Sequence, residues 1–574
     1  MGIFDFLHIK KRPWEKFYTR EELHFKVPDD TMYEAFSKSA LDFNDLDALE
    51  YFGKRISYKK MLKKIDRCAK AFVALGVKKG DIVTICMPNT PEVLISLYAL
   101  NKIGAVAHMV HPLSSEEEIK DFVNETKSKY AIVIDMCYEK INNLLDKTKL
   151  KKVIFVSVAN SMPIYLHIGY NLTKRLNYKC DYYGKVYTSW NRFILGFLKN
   201  KKVLKKRLGK NTPAVILHSG GTSGKPKYVV IPNRAFTSAA IQGNIVMKNL
   251  KPHDRALAIM PNFHGFGLSV CMHTSLYIGC CTILVPQFNA KEFDKLLHKT
   301  KPSIVLGVPT LYEALTKSNN VPNLDLSSLK YIISGGDQLS KVLEDRINSY
   351  LEEHNCAAKV TQGYGLSEAL AAVCICTDDR MKSGSIGIPF PKNDMKIINP
   401  STRKTVKTGE VGEICISGPT VMLGYLNNEK ESNEALQVHS DNRVWLHTGD
   451  MGYMDKDGFI FYEQRIKRMI ISSGYNVYPS HVEEVIERHP DVLQCSVVGM
   501  PHPYKQEVVK AFIVLKDGVD ASILKKSEIK NFCKKNLSHY MCPYKYVFRK
   551  SIPYTKLGKV DFKTLQEDDG DDDV

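Results

Sequence analysis

The sequence predicts an α/β protein. It has a large, multi-layered N-terminal domain with α/β sheets and a β-rich part, followed by a small α+β C-terminal domain. Three observations predict this. From Ser57 to Val156, short apolar runs alternate with stretches of helical apolar spacing, the rhythm of parallel strands joined by helices. Between residues 255 and 368, four more runs each end in a Gly- or Pro-rich polar turn, as strands do when their ends share one ligand crevice. After Met469 the pattern contracts to one short set of helices and strands.

At 574 residues the chain exceeds one ordinary core. The expected division is a large domain over 1–463, a hinge over 464–468, and a small domain over 469–574 ending in the acidic run Glu567 to Asp573. Hydrophobic residues are 44% and charged residues 25%, which places the chain among soluble globular proteins. The net charge of +19 suits a polyanionic partner: a nucleotide, coenzyme A, a lipid surface or nucleic acid. No nucleic-acid-binding motif accompanies the charge, so no nucleic acid is expected. The 14 cysteines form no C-x-x-C pair and read as buried thiols in a reducing compartment. The charges Lys10, Lys11 and Arg12 follow the first apolar patch instead of preceding it, unlike a secretory signal. Phe6 stands where a myristoylation signal needs Ser or Thr.

In order, residues up to about 55 read as an extended, charged lead-in. Tyr58 to Leu75 has helical spacing and stops at Gly76. Strand Asp81 to Cys86, helix Glu92 to Ile103 closed by Gly104, strand Ala105 to Val110, helix Ser115 to Thr126 and strand Tyr130 to Asp135 follow. The stretch from Ile164 to Lys210 is aromatic and basic. Ile194, Phe197, Leu198, Leu204 and Leu208 would share one helix face, with no acidic residue from Arg192 to Lys210. It reads either as a peripheral membrane contact through 164–210 or as a solvated basic surface. Further on, Glu463 to Arg468 reads as a polar linker, and Ser480 with Glu483 as a capping box opening a helix.

The stretch Leu217-His-Ser-Gly-Gly-Thr-Ser-Gly-Lys-Pro-Lys227 follows a buried strand. Glycines turn backbone N–H groups inward and make an anion site. Ser219, Thr222 and Ser223 add hydroxyl donors, and Lys225 and Lys227 add charge. We read it as a polyphosphate grip. It is not a Walker P-loop: Ser219 stands for the first Gly and Pro226 for the Mg²⁺-binding hydroxyl. Downstream lie Pro261 to Gly267, Ser334-Gly-Gly-Asp337, Gln362-Gly-Tyr-Gly-Leu-Ser-Glu368, Thr448-Gly-Asp450 and Pro553 to Lys559.

In joint order and spacing, from about Ser57 to Lys559, these blocks resemble the adenylate-forming (AMP-binding) superfamily of acyl- and aryl-CoA synthetases, luciferases and peptide-synthetase adenylation domains. The resemblance implies a cytoplasmic ligase, with membrane association as a further reading. Such a ligase joins a carboxylic acid to ATP, releases pyrophosphate, and passes the acyl group to a thiol. ATP, Mg²⁺ and coenzyme A are implied, the last as co-substrate. An acyl-carrier protein is the second candidate acceptor, since no carrier domain is expected in this chain. The acid expected is a medium- or long-chain fatty acid, with an aryl acid as runner-up. A luciferase-like oxygenase remains a different class on the same fold.

Carried over residue by residue, the resemblance implies that Ser219, Gly220, Gly221, Thr222, Ser223, Gly224 and Lys227 hold the β- and γ-phosphates. Glu368 would hold Mg²⁺, and Ser367, in place of the usual Thr, would donate to the α-phosphate. Tyr364 would stack on adenine beside Gly335, Gly336, Asp337 and Gly365. Asp450 would accept from the ribose hydroxyls, with Arg465 reaching ribose or phosphate. His264 would line the acyl site. Lys559 would bridge the carboxylate and the α-phosphate. Lys467 falls at the hinge of a mobile small domain, whose swing would bring Ser473-Gly474-Tyr475 to the site in place of Lys559. Tyr228 stands where the family usually has Gly, and Gln464 where Gly usually precedes the Arg.

Overall fold

The structure is a computed structural model. It describes residues 12–173, 186–199, 208–219, 226–377, 380–472, 475–502, 506–555 and 559–568. Two large sheets, of eight and nine strands, form the α/β part. In the eight-stranded sheet, Val106–Val110, Ile82–Cys86, Tyr130–Ile134 and Lys152–Val156 run parallel. Strand Pro213–Ser219 joins them and turns back antiparallel into Lys227–Pro232. The ends of that hairpin are Ser219 and Lys227, which are register partners.

The nine-stranded sheet places Arg255–Ala258, Ile304–Gly307, Tyr331–Gly335 and Val360–Leu366 side by side and parallel. These are the four runs expected to share a crevice. Their side chains are mostly buried, because helices cover the sheet, as parallel sheets require; only the end of Val360–Leu366, from Gly363 on, is half-open. A five-stranded antiparallel sheet, including Gly412–Ser417, Val444–Met454 and Ile460–Arg465, is the β-rich part. The small domain has its own sheet, built on the long pair Val492–His502 and Gln506–Leu515. A separate apolar cluster there includes Val482, Ile486, Val497 and Ile529. No helix among the described residues is long and apolar enough to cross a membrane.

Four sequence expectations need correction. The lead-in is folded. Thr19 and Thr31 each open a helix with a reciprocal capping box to Glu22 and Glu34. Met32, Ala35, Phe36 and Ala40 enter the core, and Asp47–Tyr51 and Lys54–Ser57 complete the nine-stranded sheet. The basic stretch is not one helix in its described part. Trp190–Ile194 passes into a 3-10 turn, Leu195–Leu198, and Phe193 is buried against Phe72; residues 200–207 lie outside the described residues. The polar linker begins as strand through Arg465, because its backbone pairs with Met451 and Asp450. Ser480 is not a cap. Pro479 starts the helix, and the Glu483 carboxylate is taken by Arg468 at 2.6 Å and by the Val497 amide at 2.8 Å. The acidic tail beyond Asp568 lies outside the described residues. All described cysteines are free thiols, and all but Cys542 are buried.

Candidate functional site

The site forms where the ends of strands Tyr331–Gly335 and Val360–Leu366 meet the antiparallel sheet. Strand Val360–Leu366 runs on through Gly363-Tyr364-Gly365 against Ala371–Ile375. This approach is so close that a Cβ on Gly365 would overlap the Ala371 carbonyl oxygen. Only glycine fits there, so the strand can carry Tyr364 into the crevice. The Tyr364 hydroxyl donates to Asp450 Oδ2 at 2.6 Å. Arg465 Nε lies 3.1 Å from Asp450 Oδ1, and the two are register partners in the antiparallel sheet. Burial raises the Asp450 carboxyl above its usual value, while the Arg465 charge and the Tyr364 hydroxyl pull it back. The Asp450 carboxylate holds the Arg465 guanidinium above its usual value.

Lys559 reaches this cluster from the far end of the chain. A small β-bridge, Tyr554 to Val560, and a 2.7 Å bond from the Thr555 amide to the Lys559 carbonyl hold its turn. Burial pulls its ammonium below the usual lysine value. The carboxylates of Asp337, Asp450 and Glu368 oppose that pull, and Arg465 adds to it. Glu368 follows on from the Tyr364 strand, and its Oε1 accepts from Tyr425 at 3.0 Å. Lys227 stands 4.8 Å over the Tyr425 ring and pairs with Glu431 at 2.6 Å. Ser367 is buried and donates to the His218 carbonyl at 3.4 Å. Asp337 is exposed at the rim, beside Gly336 in a left-handed turn (φ +83°).

His264 lies across the crevice. The Phe266 amide donates to its Nδ1 at 3.3 Å, so the neutral ring carries its proton on Nε2. Burial, then the Lys559 charge, pull it down to about 4, and the ring stays neutral near pH 7. Behind it runs a π-helix, Phe266–Thr274. A π-turn widens the backbone and is a recurrent feature of functional sites. Between this helix and Asn233–Val246 lies a narrow cavity of about 50 Å³, partly open to solvent. His264, Gly335, Gly336, Tyr364 and Ser367 line its mouth, and Ala239, Gly243 and Val270 its flanks. A Cβ on Gly243 would sit 2.4 Å from Thr274 Cγ2.

The structure thus brings Lys559, Glu368, Asp450, Arg465 and Tyr364 into one cluster, flanked by His264, Ser367, Gly335, Gly336, Gly365 and Asp337. Ser219 and Lys227 stand at the base of the phosphate loop. Gly220, Gly221, Thr222, Ser223 and Gly224, and Gly474 with Ser473, lie outside the described residues. Lys467 belongs to the short turn Ile466–Arg468 beyond Arg465.

Sequence reasoning missed three supports. Tyr425 holds Glu368. Glu413 Oε1 accepts from the Gly449 amide at 3.1 Å and bears up the Asp450 turn. His447, 2.9 Å from Glu413 Oε2, braces that carboxylate. The position of Glu413, on a strand beside Thr448-Gly-Asp450, was the only signal for it. Tyr228, the departure in the phosphate loop, packs its ring 5.0 Å from His218 and so fills the hairpin.

Residues 36–426 match the family model described as AMP-binding enzyme, and residues 481–559 match the AMP-binding enzyme C-terminal domain. The chain is 31% identical to a long-chain-fatty-acid–CoA ligase of Bacillus subtilis (strain 168), covering 97% of this chain and 98% of that one. It is 32% identical to a probable 4-coumarate–CoA ligase 2 of Dictyostelium discoideum, covering 88% of each. Among solved structures, the anthranilate CoA ligase AuaEII in complex with anthranoyl-AMP superposes with a TM-score of 0.81 at 22% identity, covering 95% of this chain and 98% of that one.

Proposed function

The chain belongs to the AMP-binding enzyme family and is an adenylate-forming acid–CoA ligase, and on that premise we propose that its acid is a medium- or long-chain fatty acid. The observation that supports this is the apolar cavity between the π-helix and helix Asn233–Val246, which opens at the Tyr364 cluster and is flanked by small residues. Apolar walls offer an acyl chain burial at roughly 0.8 kcal/mol per CH₂. The long-chain ligase matched over nearly its full length points the same way.

In the first half-reaction, a carboxylate oxygen of the acid attacks the α-phosphorus of ATP. The bond to the bridging oxygen breaks, and pyrophosphate leaves with that electron pair. The obstacle is an anion attacking an anion, so charge neutralisation and positioning carry the rate. Lys559 would bridge the carboxylate and the α-phosphate. Ser367 would donate to the α-phosphate. Asp450, oriented by Arg465 and Tyr364, would accept from the ribose hydroxyls. His264, neutral with its proton on Nε2, would donate at the acyl mouth.

Tyr425 occupies one oxygen of Glu368, and the carboxylate is a hard oxygen donor beside the phosphate-loop hairpin; these residues fit a Mg²⁺ ion, which Glu368 would hold. When bound, the ion would screen the phosphate charge. In the second half-reaction, the coenzyme A thiol attacks the acyl carbonyl and AMP departs. The acceptor is coenzyme A in this reading, with an acyl-carrier protein as the alternative.

The test is acid-dependent exchange of pyrophosphate into ATP across straight-chain acids of rising length, with benzoate and coumarate alongside. The expected result is a response that peaks at a medium or long chain. A peak at coumarate or benzoate replaces the reading with an aryl-acid ligase.

A further inference from the structure

Helix Ile164–Thr173 has no Asp, Glu, Lys or Arg in its ten residues, yet none of its residues is buried. One face is covered: Leu166 and Tyr170, one turn apart, pack on the large-domain core, and His167 Nδ1 lies 2.8 Å from the Ala159 carbonyl. The other face is bare. Ile164, Ile168 and Leu172, also spaced by single turns, are 78%, 54% and 68% exposed, and Tyr165 beside them is 68% exposed. An apolar stripe on both faces of a helix belongs to a helix with a second partner. We propose that this outer face docks into the headgroup–acyl boundary of an anionic membrane, with the helix lying in the plane of the surface.

Charge selects the partner. In sequence, residues 164–210 hold twelve Lys and Arg against one acidic residue, Asp181. Among the described residues of that stretch, Leu195 and Leu198 are 58% and 65% exposed, with the exposed Arg192 and Lys199 as their neighbours in the chain. Exposed apolar side chains set among cations are what an anionic interface recognises, each part adding to the other. A second copy of the chain is disfavoured as the occupant, because each copy carries a net charge of +19 and like charges repel. Ten residues span only about 15 Å as a helix, so the contact is peripheral. Such docking would bring the acyl cavity to the phase where long-chain acids partition.

The test is co-sedimentation of the full chain with phosphatidylcholine vesicles, with and without about one third phosphatidylglycerol. Expected is at least roughly tenfold stronger partition onto the anionic vesicles, weakening as salt rises. The double variant Ile168→Asp, Leu172→Asp, and the milder Ile168→Ala, Leu172→Ala, should each lower it. Their thermal midpoints and pyrophosphate exchange with a water-soluble acid should stay unchanged. No preference for anionic vesicles overturns the proposal, as does partition that survives in both double variants. A change of oligomeric state in the variants without loss of partition assigns the face to a second copy and overturns it as well.

Discussion

The Tyr364 hydroxyl donates to Asp450 Oδ2 at 2.6 Å, across 86 residues of sequence and between two sheets. Tyr364 comes from the nine-stranded sheet and Asp450 from the antiparallel one, where the Arg465 guanidinium lies in ion-pair contact with the second carboxylate oxygen at 3.1 Å. The ribose-binding carboxylate proposed here is therefore fixed from both sides before a ligand arrives, so its orientation costs little on binding.

Tyr364→Phe keeps the ring and removes this bond. A hydrogen bond to a charged group contributes on the order of 1.5 kcal/mol, roughly tenfold. The KM for ATP in pyrophosphate exchange should rise by about that factor, with kcat little changed. An unchanged KM would mean that Arg465 alone orients Asp450.

Lys559→Ala should lower adenylation by about 10² to 10³, the cost of losing one donor at a site of developing charge. Thiol transfer from a supplied acyl-adenylate should stay close to the native rate. The two half-reactions can be followed separately, by exchange and by acyl-CoA formation. Equal loss in both removes Lys559 from its assigned step.

Gly243→Val places a side chain where a Cβ already meets Thr274 Cγ2 at 2.4 Å and lines the cavity. The chain-length profile should shift to shorter acids, with long acids losing on the order of tenfold or more in kcat/KM. A uniform loss across all lengths would point to damage to the helix pair instead.

Glu487, in the small domain, is pushed up to about 7 by burial first and then by the neighbouring carboxylates of Glu483, Glu313 and Glu484; the Cys495 amide, bonded at 3.0 Å, opposes them. Its folded-state value lies above the ordinary 4.5. Its neutral form therefore contributes stability that is complete below about 4.5 and lost as pH rises through about 7. Glu487→Gln keeps an acceptor for the amide without the charge. Its thermal midpoint should match the native chain near pH 4.5 and exceed it at pH 8, by on the order of 1 kcal/mol of stability. A midpoint difference independent of pH would contradict this.

Much of the site was legible because its residues sit in short blocks whose spacing is local. Tyr364 and Gly365 could be expected at the base site, and Asp450 behind its Gly turn. The folded lead-in was hidden because its helices are short and charged. Their capping boxes at Thr19 and Thr31 were readable in the sequence, but Phe36 is buried by stacking on Tyr58 and Tyr98 from two later helices, and Tyr51 by a strand that pairs with the distant Cys281–Leu284. The false cap at Ser480 shows the converse: a local pattern lost to Arg468 and Val497, partners that only the folded sheet supplies.

By itself, the sequence determined the fold class, the order of the binding blocks and the chemistry of each side chain, because periodicity and turn chemistry act over a few residues. Tertiary structure alone decided which of those side chains meet. It set Tyr364 and Arg465 on either side of Asp450, Tyr425 on Glu368, the π-helix beside the apolar cavity, and the bare face of Ile164–Thr173. Each of these depends on how separate sheets and helices pack, and packing energy is a property of the assembled surfaces, not of any one stretch of chain.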